Sequence, residues 1–424
     1  MKAPKIVFIG AGSMSFGTAT FRDIFSSKLL AGAELWLVDI DPENLSRMFA
    51  LAKKFNELTG MGIDIHATEE RREALPGANF IISSLAIERC ELWKHDFNVP
   101  KKHGIRHCLG ENGGAGALYF TMRTLPLVLK ICADIEELCP DAWFLNFSNP
   151  ESRLVLGVNK FTNVKCVGFC HGIYMGRYDV ATILGRDEKS VEVRAGGMNH
   201  FQWITDIRDA ETGEDLYPAF REAEKTFDPT FRPFTRKMYR AFGLWPTCSD
   251  DHLGEYMAYG YEAGEHGYNF EGDAADRVRQ KARIDAVISG EQGLGDWVNP
   301  SGEHAVDAIV ALHFNLRRNL PACIVYNNGA IPQLPDDVAV EVPVVVDGAG
   351  VHRTVVDNLP AGAIGLMNQQ VSPQRLSVLA AAKGSKEIAL QALLCDPTIN
   401  STAAAVAIND ELFEINKAYI EAVR

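Results

Sequence analysis

Hydrophobic residues near the start of the chain form two short runs separated by an amphipathic stretch. Lys5 to Ile9 is a β-branched and aromatic run of the kind that forms a buried parallel strand. A turn of sequence GAGSMSFG follows, and residues 18–30 have a helical pattern. A second strand is predicted at residues 34–38, directly before Asp39. Strand, glycine turn, helix, strand and acid is the order found in a doubly wound, Rossmann-type sheet.

The pattern of strands and helices continues to about residue 190, where we place the end of a first domain (1–190). Asp41 caps a predicted helix that has Pro42 at its first position. The charged segment 88–107 is predicted to be helical with a turn at Gly104. Further strands are predicted at 79–84, 142–147 and 165–170.

The second domain (191–424) is predicted to be α+β. A strand carries His200 at its start, and residues from 324 onward alternate and break like antiparallel strands joined by proline turns. The fold class is therefore α/β, a Rossmann-type parallel sheet followed by a smaller α+β unit. Helices are predicted at 216–239, at 301–319 and in the Ala- and Leu-rich last 50 or so residues.

Charge, apolar run length and cysteine content argue against several classes of partner and cellular location. The chain of 424 residues has 55 acidic and 42 basic side chains, a net charge of −13, which argues against nucleic-acid binding. It contains no apolar stretch of about 20 residues, so we expect no membrane partner. The run from Ile6 to Ile9 is too short for a secretory signal. Nine cysteines without a repeated spacing indicate a reducing, cytoplasmic location.

The first glycine turn indicates a dinucleotide site. Gly10 and Gly12 allow the backbone to approach a pyrophosphate at a helix N-terminus. Asp39 would bind the ribose hydroxyls and repel a 2′-phosphate, which favours NAD over NADP. Ser15 stands where a third glycine is expected, so a structural glycine turn in another α/β fold remains an alternative. The predicted cofactor-binding residues of this segment are Gly10, Gly12, Ser13, Met14 and Asp39.

Cys170 in KCVGFCHG and His200 in GGMNH are candidate metal ligands. Thiolate and imidazole groups bind divalent transition metals, and two ligands from separate loops leave positions open for a substrate. Taken singly, Cys170 at the end of an apolar strand would be a buried small hydrophobe, and His200 a hydrogen-bonded structural histidine.

Several motifs together resemble one family across nearly the whole chain. They are GAGS, GGAGALYFTMRTLP, the NP dipeptide after a strand, CHGI, GMNH, DDHLGEY and NGAIPQLPDDVAVEVPVVV. In this combination and order the sequence resembles glycoside hydrolase family 4, an NAD-dependent exception among glycosidases. The resemblance implies a second domain like the C-terminal part of lactate and malate dehydrogenases.

The resemblance also implies a mechanism. NAD oxidises the C3 hydroxyl of the sugar, which acidifies the proton on C2. A base removes that proton, a divalent metal stabilises the negative charge, and the glycosidic oxygen leaves by elimination. Water then adds and the hydride returns, so that the net reaction is hydrolysis without redox change.

The family's functional residues have counterparts in this sequence. Cys170 and His200 match the metal ligands, usually for Mn²⁺, and Asn149 matches an asparagine that contacts substrate and nicotinamide. Glu111 stands where the family often has an aspartate that contacts the sugar. His171, directly after the metal cysteine, is a candidate proton donor to the leaving group.

The family's base, a tyrosine or an aspartate, falls in the region matching SDDHLGEY. Asp250, Asp251, His252 and Tyr256 compete for the role, with Asp250 favoured and His252 also assigned to substrate binding. An acid before an apolar helix is ordinarily a cap, so a purely structural role remains an alternative.

The CHGI motif resembles members acting on non-phosphorylated glycosides, so we expect an α-glycosidase for a neutral hexoside or a hexuronide. A hexuronide carboxylate would need a cation, for which Arg123, Arg177 and Arg89 are candidates, Arg123 being our predicted substrate-binding residue. The alternative is an NAD-dependent dehydrogenase of the 2-hydroxy-acid type. A homodimer or homotetramer is expected, with the apolar segment Val338 to Val346 as a candidate interface.

Overall fold

The computed structural model describes residues 2–421, and a mixed sheet of twelve strands runs through this part of the chain. Its strands are β1 (Lys5–Ile9), β2 (Glu34–Val38), β3 (Asp64–Thr68), β4 (Phe80–Ser83), β5 (Trp143–Asn146), β6 (Lys165–Gly168), β7 (Val191–Met198), β8 (Phe201–Asp209), β9 (Trp245–Pro246), β10 (Arg318–Tyr326), β11 (Ala339–Asp347) and β12 (Gly350–Arg353).

Helices cover both faces of the sheet and form most of the last 60 described residues. They are α1 (Met14–Ser26), α2 (Pro42–Thr59), α3 (Arg71–Ala74), α4 (Arg89–Lys102), α5 (Gly114–Leu138), α6 (Glu151–Phe161), α7 (Gly172–Leu184), α8 (Tyr217–Thr226), α9 (Pro233–Phe242), α10 (Asp250–Gly254), α11 (Phe270–Ser289), α12 (Ala305–Phe314), α13 (Ala361–Lys383), α14 (Lys386–Cys395) and α15 (Thr402–Glu421).

The first six strands are parallel in the order β3-β2-β1-β4-β5-β6, which is the strand order of a Rossmann-type doubly wound sheet. Their carboxyl ends are in register: Ile9 pairs with Ser83, Ser83 with Asn146, and Asn146 with Gly168. The loops after β1, β4, β5 and β6 therefore meet at one edge of the sheet.

The two faces of β1 belong to different cores. Ile6 and Phe8 pack with residues of α1 and α2, whereas Val7 and Ile9 pack with residues of α5 and α6. A parallel strand covered by helices on both faces must be apolar at every position, which explains the continuous run in the sequence.

The antiparallel half continues the same sheet, because β10 pairs with β6 through Ile324 and Gly168. The strands then follow the order β10-β11-β7-β8-β9, with β12 on β11. A division of the chain at residue 190 falls directly before β7 and stays a prediction.

The alternating valines of Val338 to Val346 are buried within the chain's own sheet, which contradicts the prediction that they supply a subunit interface. The segment lies mostly within β11, which is hydrogen-bonded between β10 and β7 in the middle of the sheet. The even-numbered valines of this segment are at most 1% exposed. The alternation that we assigned to an outer surface is therefore part of the core.

Three further predictions of local structure differ from the observed elements. The single helix predicted at 216–239 is broken into α8 and α9, because Pro233 begins α9 and Arg232 before it has a left-handed φ of 49°. The helix predicted at 301–319 is shorter and ends at Asn315, whose φ is 54°. The strand β3 was missed because its sequence, DIHAT, is polar and half-exposed at the sheet edge.

The helix α5 is long and apolar enough to cross a membrane, but most of its apolar window is buried within the protein, as expected of a core helix. Arg123 lies in this helix and points into the core. Its guanidinium contacts the Asp96 carboxylate at 2.6 Å, and neither side chain is exposed. The prediction that Arg123 binds the substrate is therefore corrected: it forms a buried ion pair that joins α5 to α4.

Replacing Arg123 with Met should lower the free energy of unfolding by about 3–5 kcal/mol, because Asp96 would remain buried without its partner. Urea denaturation measures this loss. Arg177→Met is the matched control, since the pair of Arg177 with Glu188 is about one-third exposed and its loss should cost at most about 1 kcal/mol. Normal stability of Arg123→Met, combined with a raised KM, would restore the substrate-binding role.

The loop between α4 and α5, which carries Glu111, is held in place by His107. The Nε2 atom of His107 lies 2.9 Å from the carbonyl oxygen of Phe97, and the imidazole packs on the Phe97 ring. Gly110, with a φ of +68°, lies so close to this imidazole that a Cβ atom would be 3.1 Å from its Cε1. Burial lowers the pKa of His107 to about 4.

Between pH 6.5 and 4 the unfolded chain would bind a proton at His107 that the folded chain excludes, so stability falls as pH falls. From pH 7.5 to pH 5 this contribution amounts to about 2 kcal/mol. His107→Gln should therefore lose about 2 kcal/mol less than the wild type over that range in urea denaturation. Parallel stability profiles of the two proteins would contradict the assignment.

Candidate functional site

The turn after β1 has the geometry of a dinucleotide site. Gly10 has a φ of +84°, and a Cβ atom there would lie 2.1 Å from the carbonyl oxygen of Ser84. The Asp39 carboxylate accepts hydrogen bonds from the backbone N–H groups of Gly12 at 2.7 Å and Asp41 at 2.9 Å. These contacts hold the Asp39 carboxylate beside the N-terminus of α1. The pyrophosphate of a dinucleotide would bind at that N-terminus.

The residue that takes the place of the missing third glycine is Gly17. A Cβ atom at Gly17 would lie 2.6 Å from the Cε atom of Met48, so the glycine permits α1 and α2 to pack closely. Ser15 is at the surface and contacts Gln280 of α11 at 3.1 Å. The carbonyl oxygen of Met14 accepts a hydrogen bond from the same Gln280. The departure from the glycine pattern therefore leaves the turn intact and places α11 against it.

The structure brings Cys170 and His200 together. Cys170 lies in the loop after β6, and His200 lies in the two-residue turn between β7 and β8, where its φ is 60°. The Sγ atom of Cys170 is 3.0 Å from the Nε2 atom of His200. The pair has the separation that two ligands of one metal ion require, and the assignment as metal ligands stays a prediction.

Asn199 anchors the turn that presents His200. Its carbonyl oxygen accepts a hydrogen bond from the Tyr256 hydroxyl at 2.9 Å, and its side-chain amide donates to the Glu341 carboxylate at 3.0 Å. The N–H group of Asn199 donates to the Ser152 hydroxyl at 3.3 Å. Three contacts from three separate elements thus hold one turn, which explains how a left-handed histidine is maintained.

Buried carboxylates surround this pair. Burial and the charge of neighbouring Glu341 raise the pKa of Glu151 well above its usual value, and burial raises that of Glu341 to about 7. Burial, together with the charges of these two glutamates, also raises the pKa of the Cys170 thiol. The buried glutamates of this shell are Glu111, Glu151, Glu255 and Glu341, and Glu303 adds a side chain only 8% exposed.

Such a concentration of acids favours a bound cation. A divalent ion would offset the repulsion between the carboxylates and stabilise the thiolate form of Cys170. Burial lowers the pKa of His200, so its imidazole is neutral and able to act as a ligand. The residues present therefore fit a divalent metal.

Several polar atoms at this position are buried and have no hydrogen-bond partner among the described residues. Buried polar atoms without partners are rare in proteins and are typical of sites that bind a ligand or ion. They are Asn149 Oδ1, Glu151 Oε2, His200 Nδ1 and Glu341 Oε1.

His252 forms a pair with Glu255 beside the predicted metal ligands. Its Nδ1 atom is 3.2 Å from Glu255 Oε2, and the rings of His252 and His200 are 4.4 Å apart. Burial opposes the charged form of His252, but the hydrogen bond and charge of Glu255 raise its pKa to about 9. The ligand atoms of His200, His252 and Glu255 lie within 4.8 Å of one another, which makes a second possible donor set.

Glu255 also connects this pair to the loop that carries Glu111. Its Oε1 atom accepts hydrogen bonds from the backbone N–H groups of Glu111 and Asn112. The Glu111 carboxylate contacts the Asn112 side chain at 3.3 Å and the Arg89 guanidinium at 3.4 Å. Glu111 is therefore close to His252, as its predicted role at the sugar requires.

The prediction that Asp250 is the catalytic base is corrected by the hydrogen bonds that its carboxylate accepts. Its carboxylate accepts hydrogen bonds from the N–H groups of Phe234 at 3.0 Å and Thr235 at 2.8 Å, and from the Thr235 hydroxyl at 2.6 Å. These donors belong to the first turn of α9, so Asp250 caps that helix from outside. Asp250 therefore has a structural role, but not the one expected from the sequence, because it caps the preceding helix α9 rather than the helix that it begins.

The other candidate bases differ in their surroundings. Asp251 accepts hydrogen bonds from the Ser249 hydroxyl and from the N–H group of His252 at the start of α10. Burial raises the pKa of the Tyr256 hydroxyl well above its usual value, and that hydroxyl donates to Asn199. Of the four candidates, His252 is the one whose side chain is oriented by a buried carboxylate, that of Glu255.

His171 lies at the mouth of the site, with a side chain 55% exposed. Its Nε2 atom forms an ion pair with Glu303, and this contact raises the pKa of the imidazole. The two remaining candidate cations differ: Arg177 is paired with Glu188 away from the buried acids, whereas Arg89 contacts Glu111.

Sequence reasoning missed Glu151, Glu255, Glu303 and Glu341. Two of them could have been identified from the sequence. Glu341 interrupts an apolar strand in AVEVPVVV, and Glu151 directly follows the NP dipeptide. Glu255 lies within the DDHLGEY motif, but the other polar residues of that motif drew the assignment. Glu303 stands in a polar loop, and nothing in its neighbourhood distinguishes it from a solvated acid.

Comparison with known proteins agrees with these observations. A model described as family 4 glycosyl hydrolase matches residues 5–186, and a model of that family's C-terminal domain matches residues 195–399. An alpha-glucosidase of Erwinia rhapontici is 32% identical and covers 99% of both chains. An alpha-galactosidase of Bacillus subtilis (strain 168) is 28% identical, over 96% of this chain and 95% of its own.

Solved structures show the same fold. A 6-phospho-alpha-glucosidase from gut microorganisms, in complex with NAD and Mn²⁺, has a TM-score of 0.83 at 25% identity over 99% of both chains. A malate dehydrogenase of Plasmodium falciparum has a TM-score of 0.55 at 13% identity, over 90% of this chain and 99% of its own. The predicted fold class is thereby confirmed. Because the two family models together span most of the sequence, this protein belongs to glycoside hydrolase family 4.

Proposed function

We propose that the protein hydrolyses a non-phosphorylated α-glycoside, a neutral hexoside or a hexuronide, with NAD and a divalent metal, Mn²⁺ by preference. The observation that carries this proposal is the contact of Cys170 with His200 inside a shell of buried glutamates, beside a dinucleotide turn. It is supported by relatives named alpha-glucosidase and alpha-galactosidase, and by a similar structure that contains NAD and Mn²⁺.

Bound NAD would accept a hydride from C3 of the sugar and return it, while a bound metal would stabilise negative charge on the sugar oxygens. The protein's own residues bind and orient both groups. Gly10, Gly12 and Asp39 would hold the dinucleotide, and Cys170 and His200 would hold the metal. Because the loops after β1 and β6 meet at one sheet edge, both groups would lie over the same substrate.

Asn149 would orient the substrate. It lies in the loop after β5, and its Oδ1 atom is buried without a partner among the described residues. An amide offers one acceptor and two donors, which suits the hydroxyl groups of a sugar. We therefore keep Asn149 as the residue between substrate and cofactor.

His252 would remove the proton from C2, in place of Asp250. Its pKa of about 9 keeps the imidazole protonated at neutral pH, so it would act as the base once the charge of a bound divalent metal lowers that pKa. The carboxylate of Glu255 orients the imidazole through Nδ1 and leaves Nε2 directed elsewhere. Glu255 is itself fixed by two backbone N–H groups, so the orientation is built into the fold. An imidazole held by a buried acid is a common arrangement for proton transfer.

His171 would hold the proton that passes to the leaving oxygen. It is exposed at the mouth of the site, and Glu303 keeps its imidazole in one orientation. A substrate whose sugar is bound at Cys170 and His200 would have its leaving group on this exposed side.

The preference for a non-phosphorylated sugar rests on the CHGI motif and on the relatives named alpha-glucosidase and alpha-galactosidase. A hexuronide has one negative charge, for which Arg89 would be the partner. Arg89 lies beside Glu111, the acid predicted to contact the sugar, and their contact of 3.4 Å is longer than the roughly 2.7–2.9 Å of a strong charged hydrogen bond. A screen of neutral and uronic nitrophenyl α-glycosides with Mn²⁺, NAD and reductant tests the choice between a neutral hexoside and a hexuronide.

The dehydrogenase alternative would require net consumption of NAD during turnover.

Cys170→Ser should abolish hydrolysis and weaken Mn²⁺ binding by about 100-fold or more, because a hydroxyl is a far poorer ligand than a thiolate. NAD binding should be unchanged. Electron paramagnetic resonance measures free Mn²⁺, and fluorescence titration measures NAD. Cys166→Ser, four residues earlier and also partly buried, is the matched control and should bind Mn²⁺ normally. Unaltered Mn²⁺ binding by Cys170→Ser would remove the metal assignment.

A substrate deuterated at C2 should exchange its label with solvent during turnover, because elimination begins with removal of that proton. Mass spectrometry of the released sugar measures the exchange. His252→Asn should slow the exchange by about 100-fold or more if the imidazole is the base, while Mn²⁺ remains bound. Complete retention of deuterium in the wild-type product would rule out elimination. Normal exchange by His252→Asn would reassign the base.

A further inference from the structure

An open groove begins at His171 and runs along the outer face of α7. Its volume is about 340 Å³, at the lower end of the range of about 300–1,000 Å³ that small-ligand sites occupy. The groove is lined by His171, Tyr174, Met175, Tyr178, Glu188 and Arg232.

The spacing along α7 explains why its aromatic residues share this groove. Tyr174, Met175 and Tyr178 follow His171 by three, four and seven positions, which places them on one face of a helix. Tyr178 is 52% exposed, unusually open for an aromatic side chain. Tyr174 is fixed, because the His304 ring lies 5.3 Å away on one side and Arg177 lies over its face. The groove thus has one fixed and one exposed tyrosine.

The charged groups of the groove are already paired. Arg232 forms an ion pair with Asp179 at 2.9 Å, and Glu188 pairs with Arg177 at 2.7 Å. Neither charge is therefore available to select an ionic ligand, but both groups can still hydrogen-bond hydroxyls. Tyrosine faces together with fixed polar groups suit a neutral ring that has one apolar face and many hydroxyls.

One end of the groove is lined by His171, the residue that directly follows Cys170 and the proposed proton donor to the leaving group. We infer that this groove binds the leaving-group part of the substrate, and that its occupant is a second pyranose ring stacked on Tyr178. This inference rests on the proposed glycosidase function and extends it. The natural substrate would then be a disaccharide or longer α-glycoside rather than a simple alkyl glycoside.

The experiment compares two substrates that share one sugar at the bond to be cleaved. One is the methyl α-glycoside, and the other is an α-linked disaccharide whose second ring is neutral: maltose for glucose or melibiose for galactose. Tyr178→Ala should raise KM for the disaccharide about tenfold, since a stacking contact is lost. It should change kcat/KM for the methyl glycoside less than twofold.

Two further variants and one mass measurement complete the experiment. Tyr178→Phe keeps the ring and should behave nearly as the wild type. Phe161→Ala removes another exposed aromatic ring, 42% exposed at the far end of α6, and should affect neither substrate. Analytical ultracentrifugation compares the mass of Tyr178→Ala with that of the wild type.

Equal losses on both substrates, or no loss on the disaccharide, would overturn the inference while leaving the glycosidase function intact. A change of oligomeric state in Tyr178→Ala would also overturn it, because the groove would then be a contact between copies of the chain. If the wild type hydrolyses no α-glycoside at all, the proposed function fails, and the inference with it.

Discussion

Repulsion between buried carboxylates is the constraint on which the site depends. Glu111, Glu151, Glu255 and Glu341 are all buried around one cysteine and one histidine. Loss of hydration raises the pKa of both Glu151 and Glu341, and the charges of neighbouring acids raise that of Glu151 further. A cation would reverse both effects. The buried glutamates therefore favour binding of a positively charged group. Without such a group, their burial lowers the free energy of unfolding.

The fold brings this shell together from distant parts of the sequence. The parallel strands end in register, so the dinucleotide turn, Asn149 and Cys170 follow one sheet edge. The antiparallel half continues the same sheet through β10 and β11 and contributes Glu341 and, from the turn after β7, His200. Because one sheet links both halves, a shift of either half would move the predicted metal ligands relative to the dinucleotide turn.

The sequence predicted what depends on short-range pattern or on several motifs in order. Strand β1, the glycine turn and Asp39 were evident from local pattern, and Cys170 and His200 from motifs. The sequence could not distinguish a capping acid from a catalytic one: Asp250 and His252 are two residues apart, and only the position of α9 shows that Asp250 caps it. The substrate-binding prediction for Arg123 was wrong for a similar reason, because its ion-pair partner Asp96 lies 27 residues earlier in the sequence. Burial of the alternating valines in β11 likewise depends on which strands flank it.

The most direct test is the position of the metal in crystals grown with NAD and Mn²⁺. Anomalous scattering at the manganese edge locates the ion without reference to activity. The account predicts a single peak bonded to Cys170 Sγ and His200 Nε2, with Glu151 and Glu341 close by. A peak on His252 and Glu255 without the Cys170 sulfur, or no peak at saturating Mn²⁺, would contradict it.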